Sequence, residues 1–179
     1  MTIFCESETY DSIIDSTDES NMNMEFTDDS VSATNFEKSM KRKHTMRLID
    51  VKSDGNCFCH AVAHQLCMYN ENDNFITHSE LRSFATGYMN DNKTFFEDYF
   101  SEYDDNIDND INKMSQSNRW VDNYVIQALC NSFKFDINIY PDTAYNLPIR
   151  TTTDKNFINQ VAINIAYINQ NHYVSLQNC

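Results

Sequence analysis

Glycine and proline are nearly absent from this chain, with two of each in 179 residues. That scarcity excludes collagen-like, turn-rich solenoid and Pro-linker architectures, which need those residues at regular intervals. No run of about 18 apolar residues is present, so no helix is expected to cross a bilayer and no membrane partner is expected. Basic residues are also scarce. With 13 Lys+Arg against 27 Asp+Glu, the formal net charge is −14, which repels a phosphate backbone and argues against nucleic acid as a partner. A small protein or peptide partner fits this charge better. The first residues carry acid where a signal peptide has a basic start and an apolar stretch, so the six cysteines are expected as reduced thiols.

Apolar residues make up 41% of the chain and aromatics 13%, including 12 Phe and 10 Tyr, enough to close a core. Charge is unevenly placed. The first 35 residues hold Glu6, Glu8, Asp11, Asp15, Asp18, Glu19, Glu25, Asp28 and Asp29 with no Lys or Arg. Residues 1–45 are therefore expected to be a disordered acidic tail, closed by a short basic linker at Lys38, Lys41, Arg42 and Lys43. Residues 46–179 are expected to form one mildly acidic folded domain acting as a monomer.

Within that domain, Met46 to Val51 reads as a lead-in strand ended by the turn residues Ser53-Asp54-Gly55-Asn56. Cys57 to Met68 places Phe58, Ala61, Val62, Leu66 and Cys67 at helical spacing. A second helix is expected from Ser79, as N-cap, to Met89, a third over Thr94 to Tyr103, and a core helix over Trp120 to Phe133. Asp104 to Asn112 reads as a polar loop. Phe135 to Tyr140 alternates with period two, and Val161, Ile163, Ile165 and Tyr167 share one face of a strand. That strand turns at Asn169-Gln170-Asn171 into a hairpin partner, His172 to Leu176. The sum is an α/β (α+β) domain in two layers, helices packed on a small, mostly antiparallel sheet.

Chemistry concentrates in Asp54-Gly55-Asn56-Cys57-Phe58. A cysteine in the first turn of a helix meets the positive end of the macrodipole and unpaired N–H groups, which favour its thiolate. The turn formed by Asp54, Gly55 and Asn56 can also aim main-chain N–H groups at a developing oxyanion. A thiol nucleophile needs a base, and there are five histidines. His44 lies in the linker, His60 and His64 share the helix of Cys57, and His78 precedes the next helix. His172, at the start of the final strand after a tight turn, is the best-placed candidate.

Together these elements resemble the ovarian tumour (OTU) family of cysteine deubiquitinases. Asp54-Gly55-Asn56-Cys57-Phe58 is similar to the family's nucleophile motif, and His172-Tyr173 after the strand Ile163 to Ile168 is similar to its histidine motif. Leu81-Arg82, Tyr88-Met89, Trp120 and Gln127-Ala128-Leu129 follow in the family's order. The resemblance spans Met46 to Leu176. It implies a papain-like thiol mechanism with Cys57 as nucleophile, His172 as base, and Asp54 shaping an oxyanion loop of Asp54, Gly55, Asn56 and Cys57. It further implies ubiquitin or polyubiquitin as protein substrate, isopeptide bonds at ubiquitin's C-terminus as the target, no cofactor, and the cytoplasm as the place of action. Many members have Asp or Asn two residues after the histidine; here Val174 stands there, so the third triad member is missing from its usual place.

Three other readings compete. A non-catalytic ubiquitin-binding module rests on Val174 alone. A protease acting on a polyprotein or another ubiquitin-like modifier keeps the chemistry and changes the substrate. A metal site is suggested by Cys57, Cys59, His60, His64 and Cys67, but there is no Cys-x-x-Cys pair and an amphipathic helix explains the spacing. The acidic run Asp104, Asn106, Asp108, Asp110 fails as a calcium loop, with Asn109 at the glycine position and Ser115 at the glutamate position.

Overall fold

Alternating and helical apolar patterns resolve into eleven elements in the computed structural model, which describes residues 28–69, 75–100, 106–142, 147–153 and 161–179. In chain order these are α1 (Asp28–His44), β1 (Met46–Ile49), α2 (Cys57–Tyr69), α3 (His78–Asp91), α4 (Lys93–Phe100), α5 (Ile107–Ser115), α6 (Asn123–Phe133), β2 (Asp136–Pro141), β3 (Ile149–Thr151), β4 (Ala162–Ile168) and β5 (His172–Asn178). The strands form one sheet in the order β1-β5-β4-β2-β3, antiparallel except for the β2–β4 pair. The expected α/β class and mostly antiparallel sheet hold.

Because successive strand side chains point to opposite faces, the sheet divides its apolar residues between two cores. Ile137, Ile139, Ile163 and Ile165 pack with Phe58, Val62, Leu81, Val125 and Leu129 of α2, α3 and α6. On the other face, Tyr140, Ala166, Val174 and Leu176 pack with Phe36 and Met40 of α1. This corrects the expected two layers to three. It also corrects the linker reading: residues 28–44 are helical, and Met40 is fully buried. Residues 1–27 of the acidic tail lie outside the described residues.

Other expectations shift locally. Thr77, not Ser79, caps α3, in a capping box where the Thr77 hydroxyl accepts the Glu80 N–H and the Glu80 carboxylate accepts the Thr77 N–H. Most of the stretch read as a polar loop belongs to α5, capped by Asn106 and buried at Ile111 and Met114, three residues apart; Asp104 lies outside the described residues. Its acids are spent at the helix N-terminus and on Lys93 and Lys113. Strand β3 carries no alternating pattern of its own and pairs with β2 at the sheet edge. Cys57, Cys59, Cys130 and Cys179 are free thiols, whereas Cys67 is disulfide-bonded, against the expectation of six thiols.

Two devices fix the parts that matter for chemistry. The β4–β5 turn has Asn169 and Gln170 at φ 51° and 55°, the left-handed pair of a tight hairpin, closed by the Asn171 N–H on the Ile168 carbonyl at 3.2 Å. It sets where His172 begins β5. Beyond the Ile165↔Ser175 pair, β5 leaves β4 and pairs with β1 instead. Into that opening α2 inserts the buried Gln65, which accepts the Asn164 N–H at 3.2 Å and donates to Ser175 Oγ at 2.8 Å and to the Leu176 carbonyl. The helix that starts at Cys57 is thus fastened to the strand that starts at His172.

Candidate active site

Cys57 is the first residue of α2, and the turn before it is held from within. The Asp54 carbonyl accepts the Cys57 N–H at 3.1 Å, and Asp54 Oδ1 accepts the Asn56 N–H at 2.7 Å. Burial raises the Asp54 carboxyl, but the Asn56 N–H, His60 and Lys52 outweigh it and leave its pKa below the ordinary value. Asp54 thus braces the turn from within, and the Asn56 N–H is occupied by its carboxylate. The Gly55 N–H has no hydrogen-bond partner among the described residues.

Gly55 has a reason to be glycine that substrate access alone does not supply. A Cβ there would sit 2.0 Å from the Asn118 carbonyl oxygen, so only glycine lets the 117–119 backbone pass against the turn. Asn118 is itself left-handed, at φ 62°. Asn56, almost fully buried, locks this contact: Nδ2 donates to Ser117 Oγ at 3.2 Å and Asn118 Oδ1 at 2.9 Å, and Oδ1 accepts the Asn118 N–H at 3.0 Å.

His172 is the first residue of β5, with its side chain 13% exposed. Its Nε2 lies 2.9 Å from Oδ1 of Asp50, a residue absent from the sequence-based list. Asp50 follows β1, whose ladder with β5 ends at Ile49↔Ser175, so the next step along β1 brings Asp50 beside Val174. The carboxylate missing from β5 is thus supplied across the sheet from the adjacent strand. The Val51 N–H donates to the same Oδ1 at 2.9 Å, which holds the acceptor in place although the Asp50 side chain is 86% exposed. The other ring nitrogen, Nδ1, is buried and has no hydrogen-bond partner among the described residues. A ring whose Nε2–H is donated to a carboxylate carries its lone pair on Nδ1.

Cys57 and the residues flanking His172, Asn171 and Tyr173, line one cleft together with Gly55, Phe58, Trp120, Val121 and Tyr167. Trp120, read as part of a core helix, instead precedes α6 and is 59% exposed at this cleft. Burial, with Tyr167 and Cys57 nearby, pushes the Tyr173 phenol up to about 12, so it stays protonated at neutral pH. The neighbouring Cys59 is wholly buried, and desolvation raises its thiol to about 12, which separates an inert cysteine from the one at the cleft. The remaining histidines have other tasks. His60 Nε2 faces Asp54 Oδ2 at 3.4 Å and its ring contacts that of His78 at 4.3 Å, while His64 Nδ1 meets the buried Ser175 Oγ at 2.8 Å.

Comparison with known proteins bears on the family of the chain. The profile of OTU-like cysteine proteases matches residues 52–175. A Tipula iridescent virus protein named as a ubiquitin thioesterase, L96, is 26% identical over 148 residues, covering 76% of this chain and 16% of that protein. The chain spans about a sixth of that relative's length. Among solved structures, the OTU domain of OTUD1 superposes with a TM-score of 0.67 at 14% identity, covering 82% of this chain and 95% of that one. The Hazara virus OTU, solved bound to ubiquitin, gives 0.58 at 15% identity, covering 75% and 82%. With a profile match running from just before the Cys57 turn to just beyond His172, the chain belongs to the OTU-like cysteine protease family.

Proposed function

We propose that this chain is a thiol isopeptidase that releases ubiquitin from lysine side chains. Cys57 Sγ gives its proton to His172 Nδ1 and attacks the carbonyl carbon of ubiquitin's C-terminal glycine. The oxyanion is met by amides of the turn, with the unpartnered Gly55 N–H foremost and the helix N-terminus behind it. The imidazolium, oriented by Asp50 through Nε2–H, returns the proton to the leaving lysine amine. Water then hydrolyses the thioester with His172 as base, regenerating the thiol and freeing the ubiquitin carboxylate.

The observation that carries this reading is the state of His172: Nε2 bonded to a carboxylate, Nδ1 buried and unpartnered, beside the cleft of Cys57. Asp50 also removes the sole ground for a non-catalytic module, since Val174 no longer implies an unsupported imidazole. Ubiquitin as the modifier is supported by relatives solved with ubiquitin bound and by the viral thioesterase. The chain is proposed to act as a monomer in the cytoplasm, where such conjugates are found; among the described residues no helix is long and apolar enough to cross a membrane.

The test is incubation with ubiquitin carrying an electrophile at its C-terminus. A covalent adduct on Cys57, lost together with cleavage of ubiquitin chains in Cys57→Ala, is the expected result. Chain cleavage persisting in Cys57→Ala overturns the assignment, as does a wild type that forms no adduct.

A further inference from the structure

Arg82 is a cation buried to 2% exposure on α3, and no carboxylate pairs with it among the described residues. All its partners are neutral acceptors. Nη2 donates to the Gly55 carbonyl at 3.3 Å, Asn56 Oδ1 at 3.1 Å and the Arg119 carbonyl at 2.6 Å, while Nη1 donates to the Met114 carbonyl at 2.8 Å. Nε is buried with no partner among the described residues. A guanidinium kept out of water with an unmade hydrogen bond and no counter-charge is a costly arrangement. Holding α3 in place would not need it, since Leu81, Ala85 and Met89 of that helix are fully buried in the core.

The acceptors show what the charge is used on. The peptide group joining Gly55 to Asn56 is pinned at both ends: its carbonyl receives Arg82 Nη2, and its N–H donates to Asp54 Oδ1 at 2.7 Å. The peptide before it is fixed at its carbonyl by the Cys57 N–H, which leaves the Gly55 N–H as the unpartnered donor of the turn. Rotation of the Gly55–Asn56 plane would break both bonds and redirect its neighbours. Through Asn56 Oδ1 the same guanidinium ties the turn to Asn118, whose carbonyl crowds Gly55.

We propose that Arg82 is a positioning residue for the reaction: it locks the Gly55–Asn56 peptide so that the turn presents its donors to the oxyanion, and it places a positive charge behind the site where negative charge develops. This rests on the isopeptidase reading above. A lysine at 82 keeps the charge but cannot fan over acceptors from three segments.

In the full chain, Arg82→Lys is compared with wild type by three measurements. Turnover of a ubiquitin C-terminal amide forms an oxyanion. Alkylation of Cys57 by a haloacetamide does not, since the thiolate displaces halide at a saturated carbon. Hydrogen exchange of the Asn56 amide reads the lock directly. The expected result is kcat lowered about tenfold or more, with KM and the alkylation rate within about twofold and faster exchange at Asn56 but not in α6. Unchanged turnover, alkylation falling in parallel, or unchanged Asn56 exchange overturns the proposal. If the wild type does not cleave the ubiquitin amide, the isopeptidase reading fails, and exchange alone decides the role of Arg82. If Arg82→Lys does not fold, Asn118→Gly carries the same measurements. It suits the left-handed backbone and deletes one bond to Asn56; the same pattern at smaller size supports the lock, and wild-type behaviour in every measurement overturns it.

Discussion

Asp50 is 122 positions from His172 in sequence and 2.9 Å from it in space. The places of Cys57 and His172 in the fold were legible because each sits in a local signal, a turn feeding a helix and a hairpin feeding a strand. Asp50 was not, because its role depends on β1 pairing with β5, and nothing local to an acid at the end of a short strand announces that. The mechanism nevertheless predicts what it does. Asp50→Ala should lower kcat on a fluorogenic ubiquitin substrate by about tenfold or more, since an orienting contact to a working histidine is worth that much. Restoring the family's usual position should not help. Val174 is 1% exposed and packs against α1, so Val174→Asn puts a polar group among Phe36, Met40 and Leu176. Turnover equal to or below wild type, with a lowered melting temperature, is expected. A tenfold gain would mean that Asp50 does not orient the ring.

Among elements, those read in their places are β1, α2, α3, α4, α6 from Asn123 onward, β2 and the β4–β5 hairpin, each announced by apolar residues at one period or by a flanking turn. Strand β3 was missed for want of a pattern, and the two missed helices are masked by charge. Helix α5 buries Ile111 and Met114 in the core, with Ile107 partly buried against it, within a segment otherwise acidic and polar. Helix α1 offers Phe36 and Met40, four residues apart on one face, but they follow an acidic run and extend into a basic cluster that begins at Lys38, so the pair reads as linker. Its burial gives it weight. Met40→Ala should lower unfolding free energy by about 2–5 kcal/mol, the range for truncating a buried Met or Leu. A urea midpoint within error of wild type would restore the reading of this segment as a linker.

For the whole molecule, class, sheet character and family were legible because four ordered motifs span the domain; the third layer was not, because it lies ahead of all of them. The fold also fixes a response to acid. Burial lowers the pKa of His64 and of His78 below the ordinary 6.5, so below that pH the unfolded chain binds more protons and stability falls. Asp54, with its folded pKa lowered from 3.8, adds a second loss as pH drops through that folded value. The urea midpoint should therefore be lower at pH 5.5 than at pH 7.5; equal midpoints would remove the histidine contribution. One further consequence follows from strand order. β1 is an edge strand, bound to the sheet by four residue pairs and covered by α1, and the residue that follows it is Asp50, the carboxylate proposed to orient His172. The proposed chemistry thus hangs on the rim of the sheet, and fraying of that rim would leave thiol and imidazole intact and the ring free to turn.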